Sequence, residues 1–349
     1  MNVRLAAARL VNTRFPHLRI PLLRLYYKGI RKFALAVVGV LQKLPVSSEV
    51  LGPPKGAILC TPQWIEENHA RGRILELLPV EAEEARRQTK RITHREDKKD
   101  GSGQEFYIAV INNARICTSK GVVIGSDDRM CVDLTSWEPY VGLTEHSVFL
   151  SLKLPRVKKS FRRAVTICTH PKLAENYGHW LFEVVAKFAL FKERYGWSNF
   201  DHIITNSIQY QFQKEAVELA GIPSDKLIPL SCSLHARIEE LYVTPFYLWG
   251  FERTPKWVCD AVRRFVLGDG MVEGPKKRRV YLSRKHCHRR KLANEEELLP
   301  ILEEFGFEEV APESLTVREQ AALFRECELV VGGFGGHFVT SFFAAQEPL

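Results

Sequence analysis

Three short stretches carry side chains whose types and spacing could do chemistry. In Asn176-Tyr177-Gly178-His179-Trp180-Leu181-Phe182-Glu183 an imidazole and a carboxylate stand four positions apart, which on a helix puts them on one face. Asn176, just ahead, is a helix-capping type. A carboxylate against an imidazole fixes its tautomer and makes it a better proton acceptor, as a general base requires. The same spacing also occurs in ordinary surface pairs. The second stretch, Arg284-Lys285-His286-Cys287-His288-Arg289-Arg290-Lys291, follows an apolar run ending at Leu282. Arginine offers a planar fork that matches phosphate oxygens two at a time, although a solvated basic loop would read the same. Adjacent His286, Cys287 and His288 cannot easily converge on one tetrahedral metal ion. The third is Gly332-Gly333-Phe334-Gly335-Gly336, after Leu329-Val330-Val331 and before a helix expected near His337. Backbone N–H groups of such a turn can approach an anion; equally, a tight turn needs no ligand. Phe338 breaks the G-x-G-x-x-G pattern, which counts against a dinucleotide oxidoreductase.

The elements that must position these groups follow from periodicity. Residues 51–155 are strand-like and turn-rich, with short strands at 115–117, 121–125 and 130–134 and a charged loop at 81–104. From Arg163 the pattern changes. Residues 164–168 read as a buried strand, and 180–195 as a helix with Leu181, Val184, Val185 and Phe188 on one stripe. A strand at 202–204, a helix at 211–220 closed by Gly221, and a strand at 240–243 follow. After a linker at 268–275, strands at 279–282, 307–310 and 329–331 alternate with helices at 295–305 and 316–327. This is the signature of βα units on parallel sheets, whose ligands sit beyond the carboxyl ends of the strands.

Length and charge set the bounds. At 349 residues and 45% hydrophobic content, the chain is long enough for roughly two domains, each with its own core. Of 50 Lys and Arg, nine precede Glu49, the first acidic residue, so the remainder balances the 41 Asp and Glu and only the leader is basic. That disfavours a nucleic-acid-coating surface, and Pro275-Lys276-Lys277-Arg278-Arg279 lacks the aromatic interleaving of single-strand binders. Residues 22–44 interleave apolar and basic side chains. They can lie on an anionic membrane surface or pack on the body. No stretch approaches the ~20 apolar residues of a span, and the apolar run at 33–41 comes too late for a secretory signal. Eight cysteines without a Cys-x-x-Cys pair read as scattered thiols in a reducing compartment.

Taken in order, these segments resemble glycosyltransferase family 61, from about Arg115 onward. Its Asn-Tyr-x-His-Trp pattern matches Asn176, Tyr177, His179 and Trp180. Its Ser-Arg, a six-residue step to a second Arg, then Asn-Glu, matches Ser283, Arg284, Arg290, Asn294 and Glu295. Gly306-Phe307 and a helix-borne Gln320 followed by Leu323 and Phe324 agree as well. The resemblance implies an α/β, GT-B-like fold: two Rossmann-type halves facing a cleft, with a strand-rich N-terminal region. The expected division is a basic leader (1–50), an acceptor-side domain (51–267) and a nucleotide-sugar-binding domain (276–349). The implied activity is inverting transfer from a nucleotide-sugar, expected to be UDP-linked, to a glycan or polysaccharide acceptor. A sugar-nucleotide-binding or scaffold relic of the same fold is the alternative. Catalysis is expected from His179 or Glu183, and donor binding from Ser283, Arg284, Arg290, Asn294, Glu295, Gln320, Gly335 and Gly336. No metal or other cofactor is expected, since Asp127-Asp128 falls in a strand turn; nor is a nucleic-acid partner. The expected setting is a bacterial-type enzyme of surface or capsular polysaccharide synthesis, cytoplasmic or peripheral on the inner membrane face. Two departures accompany the likeness. Phe334-Gly335-Gly336-His337 stands where the family has His-Gly-Ala-Gly, and the family continues through a further strand and helices beyond Leu349, implying an incomplete second half.

Overall fold

The computed structural model describes residues 52–78, 106–135, 146–151, 154–245, 254–268, 276–287 and 291–333, together with a few single positions. Apart from isolated positions, the leader, for which the sequence leaves a membrane surface and packing on the body both open, lies outside these residues, as do the charged loop at 81–104, Arg290 and the turn from Phe334 onward. The N-terminal part runs β1 (Gly56–Ile58), α1 (Thr61–Glu66), β2 (Gly72–Leu78), β3 (Phe106–Cys117), β4 (Val122–Ile124) and β5 (Arg129–Cys131). Then come β6 (Lys159–Ile167), α2 (Pro171–Ala174), α3 (177–195), β7 (His202–Thr205), α4 (Gln211–Ala220), β8 (Leu227–Pro229), β9 (His235–Val243) and α5 (Lys256–Leu267). The last part is β10 (Arg278–Leu282), α6 (Glu295–Glu304), β11 (Phe307–Val310), α7 (Val317–Glu326) and β12 (Cys327–Gly332).

The larger sheet has the order β1-β5-β4-β3-β9-β6-β7-β8, with β2 paired to β3. Its β9-β6-β7-β8 part is parallel, as the βα alternation requires. Its other part is antiparallel except for the edge strand β1, which pairs β5 in parallel, and it is continuous with the first, because β3 pairs β9 over eight registered positions from Ala109↔Val243 to Cys117↔His235. The strand-rich region is therefore half of the same sheet and not a separate layer. The sequence starts this strand only at Arg115, whereas β3 begins at Phe106. In the fold, Asn113 takes a left-handed backbone (φ 53) inside β3 without ending it, and the Asn112 amide donates to Ala70 O (3.1 Å).

The smaller sheet, β11-β10-β12, is parallel throughout, with Leu282 of β10 in register with Val310 on one side and Gly332 on the other. Gly268, with a φ of 74°, ends α5; the rest of the expected linker lies outside the described residues. The two sheets do not keep separate cores. One apolar cluster runs from Ile108, Val110 and Val165 through Trp180, Phe188 and Val262 to Val280, Leu282 and Phe324. The helix α5 joins them: its Val258, Val262 and Val266 are buried in the cluster shared by α3 and α7. Each such side chain withdrawn from water contributes about 1.5–3 kcal/mol. Coupling is also polar, since Glu215 of α4 accepts the Val317 N–H (2.8 Å) at the start of α7, where a helix N-terminus favours a carboxylate.

Candidate active site

The carboxyl ends of β6 and β7 lie side by side, Ile167 in register with Thr205. The next residues, Cys168-Thr169-His170 and Asn206, are the polar ones, and α3 passes over them. Asn176 caps this helix, its side-chain oxygen accepting from Gly178 N (3.0 Å) and His179 N (3.3 Å). Within α3, Trp180–Val185 is a π turn between the α-helical segments Tyr177–His179 and Ala186–Tyr195. Single π turns inside α-helices recur at functional sites. Here the turn holds His179 and Glu183 in contact, Nδ1 to Oε1 at 2.6 Å.

Burial separates the two. The Glu183 side chain is 2% exposed and that of His179 21%. The other Glu183 oxygen, Oε2, accepts the hydroxyl proton of buried Thr169. Four residues on, Lys187 is buried and donates from Nζ to Cys168 O (3.3 Å). Burial pulls the Lys187 ammonium below its usual range, against the opposing fields of Cys168 and Glu183. The same burial pushes the Cys168 thiol up. The expected i,i+4 pair is thus the outer end of an inward ladder, His179, Glu183, Lys187. Sequence reasoning missed Thr169, Asn206 and Lys187. Lys187 left a signal, a lone charge within Val184-Val185-Ala186-Lys187-Phe188-Ala189-Leu190.

At the carboxyl end of the smaller sheet a second group forms around Glu295, the first residue of α6. Its Oε1 accepts from Tyr281 OH (2.8 Å), Ser283 Oγ (3.0 Å) and Arg284 N (3.4 Å). Burial, reinforced by Glu295, pushes the Tyr281 phenol up to about 12. Ser283 and Glu295 thereby shape the loop that carries Arg284, which is half-buried. Lys285 pairs with Glu309 (2.8 Å). The glycine run begins against this loop: a Cβ on Gly332 would stand 2.9 Å from both Cβ and O of Leu282. The strand ends that deliver Arg284 and the glycine bend are therefore immediate neighbours.

The remaining expected donor residues are placed differently. Gln320 is buried in α7, where its amide donates to Pro312 O (2.9 Å) and Leu315 O (3.1 Å) and so holds the turn before the helix. Asn294 is exposed at the start of α6 and makes no side-chain cap. Arg290, Gly335 and Gly336 lie outside the described residues. Asp127 and Asp128 are engaged by protein groups, Asp127 by Trp64 Nε1 (2.8 Å) and Arg129 (2.9 Å), Asp128 by Arg115. Among the described residues no group of three or more His, Cys, Asp or Glu could hold a metal ion. In the basic tract, Arg278 pairs with Glu308 (2.8 Å) and Glu326 (3.2 Å), and Arg279 with Glu328 (3.5 Å). Among the described residues no helix is long and apolar enough to cross a membrane.

Two polar clusters thus lie at the carboxyl ends of parallel strands: one holds His179 against Glu183, and the other carries Arg284 after β10, whose end is in register with Gly332 of β12. The family model Glycosyltransferase 61 matches residues 177–348. Over these residues the chain belongs to glycosyltransferase family 61. A search of curated proteins finds none that matches. The family 61 region opens at Tyr177, inside the capped turn that presents His179, and takes in Glu183, the Arg284 loop and the glycine run. It leaves out β6 and also Thr169, whose hydroxyl donates to Glu183. The mixed α/β architecture suits a glycosyltransferase, with its large sheet and flanking helices.

Proposed function

We propose that this glycosyltransferase works by inversion, moving a hexosyl or pentosyl group from a UDP-linked donor to a hydroxyl of a glycan or polysaccharide. The observation that carries the reading is Glu183, 2% exposed, held between the Thr169 hydroxyl and His179 Nδ1 at 2.6 Å. A buried carboxylate with both oxygens engaged orients; it does not reach an acceptor. The base is therefore His179, which donates Nδ1–H to Glu183 and takes the acceptor's proton on Nε2. As the acceptor oxygen bonds to the anomeric carbon, the bond from that carbon to the donor's phosphate oxygen breaks. The diphosphate leaves with the electron pair, and the imidazolium is balanced by Glu183.

Charge on the departing diphosphate falls to protein cations and N–H groups in this scheme: Arg284, Arg290 and the backbone of Gly335 and Gly336. Ser283, Asn294, Glu295 and Gln320 belong to the same donor side, Ser283 and Glu295 by shaping the Arg284 loop. The two sheets then act as donor and acceptor halves with the substrates between them, in the GT-B manner. The basic leader suits an anionic membrane surface, which would set the reaction on the cytoplasmic face where nucleotide-sugars are made.

Calorimetric titration of the full-length protein with UDP and UDP-sugars tests the reading. The parent should bind, and Arg284→Ala should bind about 10- to 100-fold more weakly, the loss of one charge-assisted contact of ~1.5–3 kcal/mol. If Arg284→Ala and Arg290→Ala both bind UDP as the parent does, the phosphate assignment is wrong. Binding without turnover would favour the scaffold alternative.

A further inference from the structure

Beneath the His179–Glu183 pair is a set of contacts that an ordinary helix-surface pair would not need. Thr169 donates its hydroxyl to Glu183, and the Thr169 backbone is itself clamped. Its N–H donates to Asn206 Oδ1 (2.8 Å), and its carbonyl accepts from Asn206 Nδ2 (2.8 Å). The preceding carbonyl, Cys168 O, accepts from Lys187 Nζ (3.3 Å). Thr169, Glu183, Lys187 and Asn206 are all buried. The reciprocal pair from Asn206 leaves the Thr169 main chain no freedom to rotate, and the Lys187 bond fixes the peptide before it. One strand end is thus held from β7 on one side and from α3 on the other, with a single hydroxyl directed at the carboxylate that orients the imidazole.

We infer that Asn206 and Thr169 are positioning residues: together with Lys187 they lock the rotamer of Glu183 and, through it, the tautomer of His179. The inference rests on His179 acting as the base, but its test does not. A buried carboxylate with one partner can turn about its last bond; with a hydroxyl fixed on Oε2, only Oε1 is presented to Nδ1. That keeps the proton on Nδ1 and the lone pair on Nε2. A network that merely satisfied the strand ends would change stability when cut and leave the imidazole as it was.

The experiment is nitrogen NMR of the full-length protein labelled with ¹⁵N-histidine, the His179 signals being assigned among eleven histidines with His179→Gln. The parent should show His179 as the Nδ1–H tautomer. Thr169→Val should move it to a mixture with Nε2–H, and Thr169→Ser should restore the parent signal. If Thr169→Val does not fold, Asn206→Ala carries the same test. In a turnover assay, Thr169→Val should lower kcat about tenfold or more with donor KM unchanged, a fraction of the ~10²–10⁴ that a general base supplies. An unchanged His179 tautomer in folded Thr169→Val or Asn206→Ala overturns the inference, even if the protein proves to be an active transferase. A shifted tautomer in a protein without transferase activity would leave the inference standing and reject the functional reading.

Discussion

Glu183 lies 2% exposed beneath a histidine that keeps 21% of its side chain in reach of solvent, and this difference tells the two apart by substitution. In the proposed scheme His179→Ala removes the proton acceptor and should lower turnover by about 10²–10⁴ while leaving nucleotide affinity within about twofold. Glu183→Gln keeps the shape and a hydrogen bond but not the charge that balances the imidazolium. It should cost turnover less than His179→Ala, again without changing nucleotide affinity. Initial-rate kinetics beside UDP titration would show this. A variant that loses nucleotide affinity and keeps kcat would move its residue to the donor side. The pair was legible in the sequence because its contact spans four positions and needs only a helix. Thr169 and Asn206 were not: they meet across thirty-seven positions, and nothing local says that the ends of β6 and β7 lie together. Gln320 was readable as a family position, yet its amide proves to hold the turn at Pro312 and Leu315, a role that no spacing rule announces.

At the scale of elements, boundaries set by local chemistry were readable. Asn176 caps α3, Gly221 closes α4 with φ 65, and Thr316 opens α7 with a capping box. What failed to show was set by partners elsewhere. The first nine residues of β3 are strand because β2 and β9 flank them, and the π turn at Trp180–Val185 has no signature in residue type. In the smaller sheet, which the proposed scheme makes the donor side, β10 pairs β12 with Gly332 against Leu282. With a Cβ only 2.9 Å from Leu282 Cβ and O, Gly332→Ala must push the two strands apart. Overpacking of this kind costs ~1–3 kcal/mol, and it would also shift the glycine bend from the Arg284 loop. A lower urea midpoint together with weaker UDP binding is expected. Gly56→Ala, whose Cβ would meet only the flexible Arg129 side chain at 3.6 Å, is the control and should be near neutral. Stability loss in Gly332→Ala with intact UDP affinity would uncouple the bend from the nucleotide.

For the molecule as a whole, the family match and the folding unit have different limits. The match begins at Tyr177, but β6 lies between β9 and β7 in the sheet and ends at Ile167. A fragment of residues 177–349 would leave β7 with β8 alone and without β6, the parallel neighbour that ties it to β9. It would also strip Trp180, Leu181 and Phe188 of their packing against Ile108, Val110, Val165 and Ile167, all members of one cluster. Each large apolar side chain so uncovered forfeits about 1.5–3 kcal/mol, and a handful of them exceeds the whole net stability of an ordinary domain, ~5–15 kcal/mol. That fragment should therefore show no cooperative thermal transition by circular dichroism. Residues 52–349, which keep both halves of the large sheet, should show one transition and not two, because the shared cluster reaches Val280, Leu282 and Phe324 of the smaller sheet. Two well-separated transitions in 52–349 would mean that α5 ties the sheets less firmly than its buried face implies. A cooperative transition in 177–349 would mean that β6 and β3 are not needed to hold α3.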